Sequence, residues 1–151
     1  MPLVSIIIPA YNEEDYIEKT LQSIEKQTYP YIETIVVCNG CTDNTEKIVK
    51  KHNANCVFLK ERNVSLSKNV GAYNAKGEFL IFLDADTTIS QDAIERIIKK
   101  LKTGSFFGTI RGVSENAKMK LIIATEIKNI INLFICWSNG LVYCKKEDFE
   151  E

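Results

Sequence analysis

The chain has 151 residues, which is enough for one domain with its own hydrophobic core. Its 19 basic and 20 acidic residues give a net charge of −1, which argues against a nucleic-acid-binding protein and against attraction to an anionic membrane. No apolar stretch approaches the roughly 20 residues that span a bilayer, and no signal peptide precedes the first apolar run, so we expect a cytoplasmic protein without a transmembrane segment.

Strand-like and helix-like segments alternate over the first half of the chain. In order, the predicted elements are a strand at 3–8, a helix after Asn12, a strand at 34–38, a helix at 43–51, a strand at 56–60 and a helix at 65–75. Pro9 is expected to end the first strand, and Asn12 to cap the first helix. Asp43 and Glu46 are spaced as a capping box for the second helix.

The second half of the chain continues the same pattern. The predicted elements are a strand at 79–83, a helix capped by Ser90 and closed by Gly104, a strand at 106–111, a helix at 118–137 and a strand at 141–144. The early strands are apolar throughout, which is typical of a mostly parallel sheet with helices on both faces. We therefore expect one α/β domain over residues 1–151.

Ligands of such sheets bind beyond the carboxyl ends of the strands, and acidic residues stand at one of these ends. Asp84 and Asp86 leave the strand at 79–83 on either side of Ala85, so their side chains should point to the same side. Two carboxylates held close together favour a cation, and Mg²⁺ or Mn²⁺ prefers oxygen ligands. The alternative is that both acids only form turn and cap hydrogen bonds.

Two other strand ends carry polar residues with more than one interpretation. After the first strand, Tyr11 can stack on a flat ring or pack in the core, and Glu13 can line a site or balance the helix dipole. Near the third strand end, Arg62 and Lys68 can bind phosphates or remain exposed cations on a helix. Neither a dinucleotide-binding nor a P-loop glycine motif occurs in the chain.

The second strand ends in Cys38-Asn39-Gly40-Cys41, which raises the alternative of a thiol redox protein. Cys38 still lies in the strand run, and Gly40 occupies the bend. No second Cys-x-x-Cys completes a zinc site. The five irregularly spaced cysteines favour free thiols in a reducing compartment.

Four segments of the chain, taken in order, resemble the family 2 glycosyltransferases. They are VSIIIPAYNEE, VVCNGCTDNT, RNVSLSKNVGAYNAKGEFLIFLDADT and GLVYCKKEDFEE. The resemblance implies the GT-A fold, a Rossmann-like α/β/α sandwich. It also implies inverting transfer of a sugar from a nucleotide-diphosphate-sugar donor to an acceptor, assisted by Mg²⁺ or Mn²⁺. A UDP-sugar is favoured as donor, and a GDP-sugar remains open.

The resemblance also assigns roles to residues by their position in these segments. It implies metal binding by Asp86 and Asp84, with Asp86 stabilising the leaving group. The residues that it implies for nucleotide-sugar binding are Pro9, Tyr11, Glu13, Asn39, Asp43, Lys68, Asp84 and Ala85.

The chain departs from the family pattern at two points. Asn39 stands where the family has an aspartate that accepts a hydrogen bond from the base, and an amide can both accept and donate. The Gly-Gly-Phe-Asp-like segment that carries the general base is expected beyond Glu151. The acids at the end of the chain are candidates by charge alone, and first-turn helix acids are the favoured interpretation: Glu147, Asp148, Glu150 and Glu151.

These departures leave two points open. The chain is either a glycosyltransferase domain without its C-terminal part or a donor-binding module without full activity. A saccharide and a lipid-linked molecule both remain open as acceptor, and the second would place the protein at the inner face of the membrane.

Overall fold

The structure is a computed structural model, and it describes residues 1–103, 107–109 and 141–150. The strands are β1 (Val4–Ala10), β2 (Ile32–Asn39), β3 (Asn55–Leu59), β4 (Phe79–Leu83), β5 (Phe107–Thr109) and β6 (Leu141–Lys145). The helices are α1 (Ile17–Glu25), α2 (Thr45–Val49), α3 (Val64–Asn74), α4 (Ala93–Lys102) and α5 (Lys146–Glu150).

The six strands form one sheet in the order β3-β2-β1-β4-β6-β5. β1 pairs in parallel with β2 on one side and with β4 on the other, and β2 pairs in parallel with β3. β6 is antiparallel to both of its neighbours, β4 and β5. The sheet is therefore mostly parallel, and the predicted α/β fold is confirmed.

Helices cover both faces of the sheet, because the side chains of each buried strand alternate between two cores. On one face, Ile6 and Ile8 of β1 belong to a core cluster that includes residues of α1, α2 and α4. On the other face, Ile7 belongs to a cluster that includes Ala72 of α3. This double burial explains why β1 and β4 are apolar at almost every position.

Pro9 does not end β1, as was predicted, since the strand runs on to Ala10. The pairing of β1 with β4 stops at Ile7, whereas its pairing with β2 continues through Pro9 and Ala10. One side of the strand thus has no neighbour at Pro9, and this is the setting in which a strand tolerates proline.

Two predicted helix starts are also wrong, because the capping side chains have other partners. α1 begins at Ile17 rather than next to Asn12, whose Oδ1 accepts a hydrogen bond from the backbone of Thr42. α4 begins at Ala93 with Asp92 as N-cap, and the Ser90 hydroxyl donates to the Asp92 carboxylate.

The predicted capping box of α2 is replaced by a shorter contact. Asp43 Oδ1 accepts from the backbone of Thr45, two residues on, at 3.0 Å. α2 is accordingly short and ends at Val49, before the predicted end near residue 51.

The later part of the chain is described only in pieces. β5 and β6 lie within or close to the predicted strands at 106–111 and 141–144. Gly104 and the predicted helix at 118–137 lie outside the described residues. In the described part of the chain, no helix has the length and apolar character required to cross a membrane.

α3 packs closely on the face of the sheet at Gly71. A Cβ atom built on Gly71 would lie 2.3 Å from the Ile7 side chain, well inside van der Waals contact. Only glycine permits this approach, because Ile7 is fully buried and has no space to move. The start of the helix is positioned separately, by the hydrogen bond from the Asn63 N–H to Oδ1 of Asn39 at the carboxyl end of β2.

Candidate functional site

A cavity of about 290 Å³ opens at the carboxyl ends of the parallel strands. Its wall is formed by residues at the carboxyl ends of β1 and β2 and in the segments that follow β1, β3 and β4: Pro9, Tyr11, Glu13, Asn39, Arg62, Val64, Asp84, Ala85 and Asp86. The structure thus brings together all of the predicted site residues except Asp43 and Lys68.

The Asp84-Ala85-Asp86 segment forms a turn whose backbone is hydrogen-bonded to α1. Ala85 is buried, and its carbonyl oxygen accepts a hydrogen bond from the Thr20 hydroxyl of α1 at 2.7 Å. Asp84 and Asp86 are exposed on either side of it, and both line the cavity. The buried alanine therefore fixes the backbone from which both carboxylates project.

The loop after β1 is held by the loop after β2. Asn12 adopts a left-handed backbone conformation with φ of 54°, and its side chain accepts from the backbone N–H of Thr42 at 2.8 Å. The next residue, Glu13, donates its own N–H to the Thr45 hydroxyl at 2.8 Å. These contacts fix Glu13 at the cavity wall, before the first turn of α1.

Asp43 braces the same two loops and does not line the cavity. Its carboxylate accepts from the backbone N–H groups of Glu14, at 3.1 Å, and Thr45, at 3.0 Å. Burial acts to raise the pKa of Asp43, but hydrogen bonds from Thr45 and Glu14 outweigh it and hold the pKa below its ordinary value. The carboxylate therefore stays ionised as part of the loop structure.

The cavity is acidic on the side of β1 and β4. Partial burial raises the pKa of Glu13, and the nearby carboxylates of Asp86, Asp43 and Asp84 raise it further. A rise of this origin means that negative charges converge at this point. A bound cation would relieve their repulsion.

The chemistry of the acidic side chains fits a divalent metal ion. Asp84 and Asp86 offer the oxygen ligands that Mg²⁺ and Mn²⁺ prefer. Within residues 1–103, 107–109 and 141–150, no group of three or more His, Cys, Asp and Glu side chains is placed to hold a metal ion. An ion held by these two aspartates would thus need further ligands from water or from a ligand's phosphate oxygens.

Arg62 provides a cation at the cavity wall. The family resemblance had assigned donor binding to Lys68 and not to Arg62. The guanidinium carbon of Arg62 lies 4.2 Å from the centre of the Tyr11 ring, a cation–π contact. Lys68 lies further along the chain, in the second turn of α3, and is not part of the cavity wall. One feature of the sequence could have indicated Arg62: it stands only three residues after the end of β3.

Asn39 is held at the end of β2 by the start of α3. The residue is only 1% exposed, and its Oδ1 accepts a hydrogen bond from the backbone N–H of Asn63 at 2.9 Å. Asn63 in turn is the N-cap of α3, and its own Oδ1 accepts from the backbone of Leu66. The orientation of the Asn39 amide is therefore coupled to the helix start.

The cysteines of this loop do not form the pair that a redox protein would require. Cys38 Sγ lies 3.2 Å from Cys56 Sγ, whereas Cys41 Sγ donates to the carbonyl oxygen of Ala10. Burial raises the pKa of the Cys38 thiol far above its usual range, and the hydrogen bond with Cys56 raises it further. This direction is opposite to the one that activates a redox thiol. The cysteine pair that the sequence suggested, Cys38 with Cys41, is not formed.

α5 begins at the amino ends of the parallel strands, at the opposite end of the sheet from the cavity. β6 runs antiparallel to β4, and Lys145 pairs with Phe79 at the amino end of β4. α5 starts there, with Glu147 and Asp148 in its first turn, as the helix-acid interpretation predicted. The side chain of Glu150 and all of Glu151 lie outside the described residues.

Comparison with known proteins gives a family match over most of the chain. The model of the family described as "Glycosyl transferase family 2" matches residues 5–132. Glycosyltransferase GlyA of Streptococcus pneumoniae is 37% identical over 103 residues, which are 65% of this chain and 15% of that protein. The chain thus spans only a small part of the length of this curated relative.

Solved structures give the same result at the level of the fold. S. aureus TarS (residues 1–349) superposes with a TM-score of 0.70 at 30% identity, over 77% of this chain and 37% of that chain. The mannosyltransferase PcManGT from Pyrobaculum calidifontis, solved with GDP-Man and Mn²⁺, superposes with a TM-score of 0.70 at 26% identity. It covers 97% of this chain, which spans 45% of the mannosyltransferase.

The charge cluster makes a prediction for stability that depends on pH. Glu13→Gln should stabilise the metal-free protein at pH 7, because the folded state no longer holds a carboxylate whose pKa lies above its ordinary 4.5. As the pH falls, Glu13 is protonated first in the folded state, at its raised pKa, and then in the unfolded state, below the ordinary pKa. Once both states are protonated, the substitution no longer changes the free energy of unfolding. Thermal unfolding in EDTA should show a Tm about 1–3 °C higher at pH 7 and an unchanged Tm near pH 4.

Glu61→Gln is the matched control, since Glu61 is an exposed residue that does not line the cavity. It should leave Tm unchanged at both pH values. An equal gain from both substitutions would show that net charge, and not the cluster, is responsible.

Proposed function

The chain belongs to glycosyl transferase family 2, and from this premise we propose that residues 1–151 form the donor-binding domain of an inverting glycosyltransferase. The donor is a nucleotide-diphosphate sugar, and the reaction passes the sugar to an acceptor. The observation that carries the proposal is the convergence of Tyr11, Arg62, Asn39, Asp84 and Asp86 on one cavity at the carboxyl edge of the sheet.

The cavity wall supplies a distinct contact for each part of such a donor. Asn39 and Tyr11 offer an amide and an aromatic ring to the nucleoside, together with Pro9 and Glu13. Arg62 offers a planar cation to the diphosphate. A guanidinium group can donate two parallel N–H···O hydrogen bonds to phosphate oxygens. Lys68 remains a candidate for a second, more distant contact.

The aspartate pair suits the end of the donor where charge develops. When the bond to the sugar breaks, the nucleoside diphosphate leaves with additional negative charge. A divalent metal ion, Mg²⁺ or Mn²⁺, would neutralise that charge when it is bound at Asp86 and Asp84, next to the buried Ala85. The protein's own contribution is the anchored turn that holds both carboxylates in place.

Two related structures support a nucleotide-sugar donor without deciding its base. TarS has been solved in complex with UDP-GlcNAc and matches this chain at 28% identity with a TM-score of 0.66. PcManGT has been solved with GDP-Man and Mn²⁺. We favour a UDP-sugar for this chain and keep a GDP-sugar as the alternative.

A donor-binding module without transfer is the second candidate. The observation that favours it is the position of α5, whose acids Glu147 and Asp148 begin at the far end of the sheet from the cavity. Neither is therefore placed to deprotonate an acceptor, and we assign the general base to no described residue. Release of free sugar or of a glycosylated acceptor from a UDP-sugar by this chain would decide for the enzyme.

Asp86 should be required for metal-dependent donor binding. Isothermal titration calorimetry of UDP and GDP, each with Mn²⁺ and with EDTA, is expected to show at least tenfold tighter binding of one of them with the metal, about 1.4 kcal/mol. Asp86→Asn should remove most of that gain, because the amide lacks the negative charge. Asp15→Asn is the control, since Asp15 is exposed and outside the cavity wall. Equal affinity with and without Mn²⁺ in the unaltered chain would contradict the metal site.

Arg62 should contribute more to diphosphate binding than Lys68. Arg62→Met keeps an aliphatic side chain beside Tyr11 but removes the charge, and we expect about tenfold weaker nucleotide binding. Lys68→Met is the matched control and should weaken binding less than threefold, because Lys68 is not part of the cavity wall. The reverse ranking would restore Lys68 as the main cation of the donor site.

A further inference from the structure

The amide of Asn39 has one end committed to the fold and the other end free for a ligand. Oδ1 accepts the backbone N–H of Asn63 at 2.9 Å, and the residue is only 1% exposed. Among the described residues, Nδ2 has no hydrogen-bond acceptor, although Asn39 lines the cavity. A buried N–H₂ group without a partner is costly, so it is expected to find one when the site is filled.

The orientation of the amide follows from the chemistry of its partner. A backbone N–H can only donate, so the atom that faces Asn63 must be the oxygen. Turning the amide over would set two donors against each other and would leave the part-buried Asn63 N–H without its acceptor. Asn63 is held in place as the N-cap of α3, where its own Oδ1 accepts a hydrogen bond from the Leu66 N–H.

We propose that Asn39 acts as a hydrogen-bond donor to the nucleobase of the donor substrate. The inference rests on the proposed function, and it adds how the same site reads the base. At this contact the pocket recognises a hydrogen-bond acceptor on the base, which can be a carbonyl oxygen or an unprotonated ring nitrogen. It does not select bases that carry a ring N–H. A carboxylate at this position would do the opposite, since an ionised carboxylate only accepts hydrogen bonds.

The two modes of recognition separate bases that differ at one ring nitrogen. Uracil carries N3–H, a donor, where cytosine has an unprotonated N3, an acceptor. Guanine and adenine differ in the same sense at N1. UDP with CDP, and GDP with ADP, are therefore two matched pairs of probes for the polarity of the Asn39 contact.

Asn39→Asp reverses the polarity and keeps the contact with the fold. One carboxylate oxygen can still accept the Asn63 N–H, while the other replaces Nδ2 by an acceptor. The substitution should therefore raise the preference for the base with a ring N–H. Differences between the paired bases at atoms that do not contact residue 39 act in both proteins and cancel when the two preferences are divided.

The test is calorimetric titration of all four nucleoside diphosphates, with Mn²⁺, into the unaltered chain and Asn39→Asp. The unaltered chain should bind CDP within tenfold of UDP, or ADP within tenfold of GDP if it takes purines. In Asn39→Asp the preference for UDP over CDP, or for GDP over ADP, should rise at least fivefold. A smaller rise would overturn the inference while leaving nucleotide binding, and hence the proposed function, intact.

Folding of Asn39→Asp is checked by circular dichroism and by its unfolding midpoint. If the variant does not fold, the unaltered chain decides alone: a preference above tenfold for UDP over CDP, or for GDP over ADP, would overturn the inference. Failure of all four nucleotides to bind the folded, unaltered chain would instead overturn the proposed function, and this inference with it.

Discussion

Backbone hydrogen bonds on both sides of β1 determine where the functional residues of this chain lie. β1 pairs in parallel with β2 and with β4, so the three strands point the same way and their carboxyl ends meet at one edge. Strands buried in this way leave no polar surface on either face, and the polar groups of the site can stand only where the strands end. β6 runs antiparallel to β4, so α5 begins at the amino ends of the parallel strands.

The loops at the carboxyl ends of β1 and β2 are held together by side chains that the sequence pattern predicts as helix caps. Asn12 binds the loop after β2, and Asp43 of that loop binds the backbone of Glu14. Each loop thus supplies acceptors for the other's backbone N–H groups. Glu13 remains beside Asp84 and Asp86 although the charges repel each other, because its backbone is fixed by Thr45. A site that is built in advance in this way does not have to be assembled when a ligand binds.

The sequence predicted what depends on local pattern and on the direction of the strands. The limits of β4, the α/β fold and the shared position of Asp84 and Asp86 all follow from apolar runs and from the rule that sites lie at carboxyl ends. The resemblance to family 2 glycosyltransferases added Pro9 and Asn39 to the set that meets at the cavity, while Ala85 proved to be its buried anchor.

What the sequence could not predict depends on partners far away in the chain. Asn12 and Ser90 are good caps by residue type, but the first is used by a loop 30 residues away. The pairing of Cys38 with Cys56 and the contact of Arg62 with Tyr11 depend on how close β3 lies to the rest of the sheet. Likewise, only the position of Asn63 shows which end of the Asn39 amide is left for a ligand.

The location of the site can be measured by paramagnetic broadening of backbone amide signals in the ¹⁵N-labelled chain. The samples contain UDP or GDP with Mn²⁺, and Mg²⁺ serves as the diamagnetic reference. If the donor and the metal bind at the carboxyl ends of β1 and β4, broadening should be selective for residues 9–13 and 84–87 and should require the nucleotide. Broadening centred on α5 or the amino ends of the strands, or none that depends on the nucleotide, would contradict this location of the site.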